Sequence, residues 1–366
     1  MPSDARVNGK RRRWRPLVTA LSLALLTAAC GGAQTMLEPQ GPYAEDPDNL
    51  FKITLVVALV VFVVVQGLII AAAVKFRERK GDDSMPEQVH GNTRMEILWT
   101  VIPALILVGI AIPTIRMVFD LAEEPEGALT VNVIGHRWWW EFEYPAQPEF
   151  GIDETIVTAN ELVIPVGVPV RLEMTAEEAG GPANAVIHSF WIPALGGKRD
   201  VVPGRITPLN LQADHAGEYI GQCAEYCGLS HANMRARAIS LDGADWDAWV
   251  DNQLSLATIP GDGLAADGAA FFTDRGGQQT CVACHAIKGL EGANGITGPD
   301  LTHLMSRDWF AGAILEMNEE NLRAWLADPT ALKPMQPDAS PPIGMPNLNL
   351  TPAEIDALVA FLLTLD

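Results

Sequence analysis

The sequence predicts a multidomain protein with a two-helix transmembrane hairpin, an all-β sandwich or barrel, and a small all-α domain. Three observations predict it. Two stretches in the first third of the chain, 53–74 and 97–115, are apolar and carry no charge. The middle, from about 129 to 241, alternates short strands with glycine- and proline-bearing turns. The final part is helical in pattern and contains the compact run Cys281-Val-Ala-Cys284-His285. A chain of 366 residues has room for two or three domains.

Residues 1–30 read as an export signal. Lys10-Arg11-Arg12-Arg13 forms a basic start, and the apolar run from about 17 to 29 is too short to cross a bilayer. Thr27-Ala28-Ala29-Cys30 resembles a bacterial lipoprotein cleavage site with Cys30 as the lipidated residue; an ordinary export signal cut nearby is the plainer alternative. Residues 31–48 read as a linker.

The hairpin is expected over 49–120, with spans at about 51–75 and 96–118. At about 1.5 Å per residue, each crosses a hydrocarbon core of roughly 30 Å. Pro103 and Pro113 are tolerable in a packed membrane helix. Lys75, Arg77, Arg79, Lys80 and Arg94 crowd the short loop between the spans, which places that loop in the cytoplasm and the long C-terminal part outside. Glu96, at the cytoplasmic mouth of the second span, is a costly carboxylate whose plain reading is a side chain snorkelling to the interface.

A net charge of −20 argues against nucleic acid as a partner and suits the docking of basic proteins. A positive mean hydropathy of +0.13 in so acidic a chain fits soluble domains tethered to a membrane. The five cysteines, Cys30, Cys223, Cys227, Cys281 and Cys284, would permit two disulfides and a spare in a secreted context. Each instead sits in a local pattern with its own chemistry.

The all-β part is expected over 121–250. Val170-Arg-Leu-Glu-Met174 alternates as a half-buried strand should, and 129–134, 161–164 and 233–239 are further strands. Many short strands so spaced suggest a sandwich or barrel. Its chemistry lies in Cys223-Ala-Glu-Tyr-Cys227-Gly-Leu-Ser-His231-Ala-Asn-Met234. Thiolate, imidazole and thioether from one loop, with an imidazole upstream, form the soft set that suits copper electron transfer. His188, within an apolar strand pattern, is the natural upstream ligand. Zinc is the competing metal, but it has no use for Met234. A single copper needs one cysteine, so two cysteines four apart argue for a pair of copper ions sharing both sulfurs.

Both apolar spans and the β-part, roughly 50 to 245, resemble cytochrome c oxidase subunit II with its dinuclear copper A site, which implies a cupredoxin-like fold. The resemblance implies that Cys223 and Cys227 bridge the coppers and that His188 and His231 are terminal ligands. It makes Met234 and the Glu225 carbonyl the weak ligands, with the Glu225 side chain facing a magnesium site shared with subunit I. Gly135-His-Arg-Trp138-Trp-Trp140 is similar to the family's electron-entry stretch, with Trp138 at the entry position; Trp140 also reads as core packing. Glu96-Ile-Leu-Trp99-Thr-Val-Ile-Pro103 resembles the family's second span, which implies that Glu96 marks the mouth of a proton channel in subunit I. Related quinol oxidases lose the copper ligands, and all of them are present here.

After a linker at 251–262, residues 263–366 form the all-α part, with a helix expected over 266–277. Cys-x-x-Cys-His is the c-type haem attachment pattern, with His285 as proximal ligand. With Gly298-Pro299-Asp300-Leu301 downstream, the segment resembles a class I cytochrome c domain. A methionine is the expected sixth ligand. Met345 fits the family's Met-Pro pattern, Met335 is the rival, and Met305 and Met317 read as core. Pro299 is expected to hold His285 through its carbonyl. Thr351-Pro-Ala-Glu354 is a capping box opening the last helix, whose apolar face is Ile355, Leu358, Val359 and Leu362. His90, His215 and His303 carry no motif and read as surface or structural.

Together these resemblances imply subunit II of a bacterial haem–copper oxidase of the caa type, in which electrons pass from haem c to copper A and on to haem in subunit I. Oxygen reduction and proton translocation would belong to that partner. Subunits I and III, and a donor cytochrome c or quinol–cytochrome c reductase, are the implied partners, at the outer face of the bacterial cell membrane. Two alternatives stand beside this reading: the electron-input subunit of a nitric oxide reductase, and a membrane-anchored carrier with no enzyme partner.

Overall fold

The computed structural model describes residues 34–366 apart from 78–80, 82–84, 86, 87, 89, 179, 180 and 341. The export signal with Cys30, and the loop residues Arg79 and Lys80, lie outside the described residues.

Helices α1 (Pro42–Lys75) and α2 (Thr93–Asp120) are the two apolar spans. Their large side chains, Leu59, Ile70, Trp99 and Leu107 among them, point outward as lipid-facing residues do. Helix α1 begins before its apolar stretch, so residues 42–48, expected as linker, are helical. Pro42 sits at the first turn, where its missing N–H costs nothing. This added length packs on the β-part, where Ala44 and Asp48 are buried and Gly41 lies against the Gln212 carbonyl. The Asn92 side chain caps α2 by accepting from the amides of Arg94 and Met95.

Ten strands follow: β1 (Leu129–His136), β2 (Trp139–Tyr144), β3 (Ile156–Ala159), β4 (Glu161–Pro165), β5 (Val170–Ala176), β6 (His188–Trp191), β7 (Arg199–Val201), β8 (Thr207–Leu211), β9 (Gly217–Cys223) and β10 (Arg235–Leu241). They build two five-stranded sheets, ordered β3-β2-β1-β5-β8 and β4-β10-β9-β6-β7. The pairs β1/β5 and β4/β10 are parallel and the rest antiparallel. Strand β5 alternates buried and half-buried residues along its length, as its sequence predicts. Trp140, Phe142, Phe190, Leu172 and Ile164 fill the core between the sheets. The strand expected over 233–239 starts at Arg235, because His231–Asn233 forms a 3-10 turn that ends at Met234.

Helix α3 (Gly243–Leu254) closes the β-part by packing Trp246 and Val250 on its core. Residues 251–254, expected as linker, therefore belong to this helix, and the connection is 255–262. The C-terminal domain comprises α4 (Gly263–Thr273), the two-residue strands β11 (Trp309–Phe310) and β12 (Leu315–Glu316), α5 (Glu319–Ala327), α6 (Pro329–Leu332) and α7 (Pro352–Leu362). Its separate core gathers Phe272, Ile287, Leu304, Leu322, Leu358 and Phe361. The capping box at Thr351 and Glu354 is formed. His303 is buried with its ring nitrogens facing the carbonyls of Asp366 and Ser255, a structural role that ties the chain end to the connection.

The two domains are not strung apart. Between α6 and α7 the chain makes an excursion whose Ile343 joins the core of the β-part, with Met335 and Ala339 packed against it.

Candidate metal and haem centres

The first site forms where the ends of β6 and β9 meet the loop before β10. Paired in register, Phe190 and Cys223 bring the His188 strand beside the cysteine loop. The sulfurs of Cys223 and Cys227 stand 3.8 Å apart, and both cysteines are free. That is far beyond the roughly 2.05 Å of a disulfide. Nδ1 of His188 lies 3.9 Å from Cys223 Sγ, and Nδ1 of His231 lies 3.6 Å from Cys227 Sγ. Met234 Sδ is 3.9 Å from Cys227 Sγ, and the Glu225 carbonyl accepts from Cys223 at 3.2 Å. One ligand atom each from His188, Cys223 and Cys227 falls within 4.8 Å of the other two.

These spacings are long for direct bonds between the groups and suit metal ions seated among them. Six donors of sulfur, imidazole and carbonyl type meet there, the soft set that copper takes. The hydrogen bond shared by the two sulfurs lowers the Cys223 thiol far below the usual thiol range and raises Cys227. Only the thiolate is a metal ligand, so the pocket already favours the ligating form at one sulfur. His188 is fully buried, and its Nε2 has no hydrogen-bond partner. The residues present fit the group.

Trp138 is placed by the turn between β1 and β2. Its indole N–H donates to the Cys227 carbonyl at 3.0 Å, and its ring covers Gly228. Arg137 pairs with Glu178 at 2.9 Å beside it. Trp140 is fully buried, edge-on to His188 at 5.7 Å and to Phe190 at 5.1 Å, so it is a core residue that also touches a candidate ligand. Glu225 and Tyr226 are exposed between the two cysteines. Glu96 is exposed in the first turn of α2.

The second site opens on a 3-10 turn at Cys281–Ala283, which leaves Cys281 and Cys284 free at three-residue spacing with His285 next. The Pro299 carbonyl lies 2.8 Å from His285 Nδ1. A carbonyl only accepts, so Nδ1 carries the proton and Nε2 keeps its lone pair for a metal. Burial lowers the His285 pKa and keeps the ring neutral. A Cβ on Gly298 would stand 2.7 Å from this ring, so the ring needs glycine there. Met345 borders the C-terminal core, and its Sδ receives the Trp325 indole N–H at 3.2 Å. Met335 instead packs against the β-part, with its side chain alongside Gly344. Met305 and Met317 border the C-terminal core. The paired cysteines, the neutral histidine and the methionine fit a c-type haem.

Sequence reasoning missed four residues. Lys333 is buried, and its Nζ donates to the carbonyls of Trp138 at 2.5 Å and Ala311 at 2.8 Å; burial pushes its amine down to about 7. Glu161, buried on edge strand β4, accepts from the Trp309 amide at 2.7 Å, and burial lifts its carboxyl to about 7. Arg307, buried beside it, and Trp325 complete the set. The Lys333-Pro-Met335 run drew notice only for its methionine, and nothing local marked the others.

Fold and sites together define a membrane-anchored redox protein that joins a cupredoxin-like domain to a c-type cytochrome. Three family descriptions match: the transmembrane domain of cytochrome c oxidase subunit II over residues 31–117, its periplasmic domain over 129–240, and cytochrome c over 265–366. Cytochrome c oxidase subunit 2 of Alkalihalophilus pseudofirmus is 38% identical, with 96% of this chain and 98% of that protein covered. Its counterpart in Bacillus sp. strain PS3 is 35% identical over 96% of this chain and 97% of that protein. Among solved structures, the periplasmic domain of cytochrome oxidase subunit II of Bradyrhizobium japonicum is 28% identical, covering 35% of this chain and 95% of that one at a TM-score of 0.30. The chain belongs to the cytochrome c oxidase subunit II family, and carries a cytochrome c domain at its C-terminus.

Proposed function

We propose that this chain is the electron-entry subunit of a caa-type oxidase, receiving electrons at a covalent haem c and delivering them through a dinuclear copper centre to haem in subunit I. The observation that carries the reading is the six-donor cluster around two unpaired sulfurs 3.8 Å apart. Cys223 and Cys227 would bridge the coppers, His188 and His231 would close the ends, and Met234 and the Glu225 carbonyl would be weak ligands. Cys281 and Cys284 would carry the haem, with His285 and Met345 on its two faces and Pro299 fixing the His285 ring. When bound, both groups would supply one-electron chemistry.

The chain's own residues serve that chemistry by position. Trp138 ties the Cys227 backbone to the face that meets the C-terminal domain. The Glu225 side chain would face a magnesium site shared with subunit I, and Glu96 would mark the mouth of a proton path in that subunit; both carboxylates are exposed. Subunits I and III are the membrane partners, a cytochrome c or the quinol–cytochrome c reductase is the donor, and the two soluble domains face the outside. Oxygen reduction to water, coupled to proton translocation, belongs to subunit I. The complete ligand set speaks against a quinol as direct substrate.

The test is purification of the native membrane complex. Oxygen uptake driven by reduced cytochrome c, two coppers per chain in this subunit and a seven-line paramagnetic resonance pattern are expected. A four-line signal or zinc alone would end the dinuclear assignment, and consumption of nitric oxide without oxygen uptake would transfer the chain to the reductase class.

A further inference from the structure

Trp138 is the residue through which electrons are proposed to reach the copper site, yet it is only 2% exposed. What covers its backbone is the chain's own C-terminal domain. Lys333 Nζ reaches the Trp138 carbonyl on one side of the seam and the Ala311 carbonyl on the other. The Arg235 amide donates to the Gly312 carbonyl at 2.9 Å, and Ser230 Oγ donates to the Pro334 carbonyl. At the outer edge, the Arg237 guanidinium stacks 3.8 Å above the Trp309 ring.

Gly312 shows how closely this seam is fitted. A Cβ there would stand 2.2 Å from Lys333 Nζ, 2.7 Å from the Trp138 carbonyl and 2.9 Å from that of Asn233. Glycine at φ +80° both adopts the left-handed conformation and leaves room for the amine. A lysine held dry is costly unless its hydrogen bonds are met. An apolar residue of the same length would fill the volume without that cost. The amine's return is that one donor holds a carbonyl from each domain.

We propose that Lys333 is a positioning residue for electron transfer, which locks the cytochrome domain over Trp138 and closes that residue to donors from solution. The inference rests on the proposed haem-to-copper route and adds what holds the two centres in register. Lys333 touches neither centre; it acts through the Trp138 and Ala311 carbonyls.

Two measurements on the purified oxidase complex test it. In the unaltered complex, a small amine-acylating reagent should leave Lys333 unmodified under conditions that label the chain's exposed lysines. Labelling of Lys333 at the same rate as those lysines would overturn the proposal with no variant needed. In Lys333→Met, loss of the shared donor should shift the docked-to-open ratio about tenfold. Direct reduction of copper by a soluble donor, seen as copper reduced ahead of haem c, follows the open fraction and should speed up by the same factor, with the haem spectrum, haem potential and copper resonance pattern unchanged. An unchanged rate of that direct reduction with those signatures intact would also overturn it. A wild-type complex in which reduced haem c never reduces copper would sink the underlying route itself, which is a different result from a K333M complex whose copper stays as closed to soluble donors as the parent's. Should K333M lose either centre, the labelling result decides alone.

Discussion

The indole of Trp138 donates to the carbonyl of Cys227, so the residue facing the cytochrome domain is bonded directly to the backbone of a copper-ligand candidate. A side chain with one foot in each neighbourhood couples the geometry of the seam to that of the metal loop.

The two cysteines of that loop should not be interchangeable with serine. Cys223→Ser leaves one sulfur to bridge, and copper content should drop from two ions to one per chain. The resonance pattern should change to four lines. Retention of two ions and the seven-line pattern would show that Cys223 is not a bridge.

The haem site separates its two methionines cleanly. Met345→Ala should abolish the low-spin methionine–histidine spectrum. Met335→Ala should leave it untouched, because Met335 packs against the β-part instead. The reverse outcome in visible spectra of the two variants would exchange their roles.

Trp325 donates to the sulfur of Met345. A donor there disfavours the more positive, oxidised centre. Removing a hydrogen bond of about 1 kcal/mol in Trp325→Phe should lower the haem potential by about 40 mV while methionine ligation persists. Potentiometric titration reads this, and an unchanged or raised potential counts against the bond.

Glu161 gives the domain seam a pH dependence. Burial lifts its carboxyl from the usual 4.5 to about 7, so the unfolded chain sheds this proton at lower pH than the folded chain does. The unfolded state is therefore favoured progressively as pH rises from about 4.5 to about 7, at a cost to stability of up to about 3 kcal/mol that persists above that window. Arg307 on the facing segment offsets part of this cost and Asp308 adds to it. Glu161→Gln, which can still accept from Trp309, should flatten the fall of the thermal midpoint between those pH values. A variant with the same slope as the parent would exclude Glu161 as its source.

Much of this was legible because the chemistry is local. Cys223 to Met234 and Cys281 to His285 each gather most of a candidate ligand set within a dozen residues, with His188 and Met345 lying further off, and the spans announce themselves by missing charge. The alternation of Val170 to Met174 likewise predicts which side of β5 faces the core. What the sequence hides is pairing at a distance. Nothing near Lys333 points to Trp138, which lies 195 positions away. Nor does a glutamate opening an apolar strand reveal that another domain will bury it. Helix ends were blurred for a related reason: Pro42 to Asp48 and Asp251 to Leu254 are polar enough to read as linker, and become helix because they pack on the β-part.

The connection between the domains is only residues 255–262, and His303 pins its first carbonyl, that of Ser255. So short a leash holds the cytochrome at a local concentration on the order of millimolar or higher. A contact far too weak to capture a freely diffusing partner then suffices for near-complete occupancy. A transfer step between the two tethered domains would then keep its rate however dilute the free carriers become, because its donor cannot be washed away.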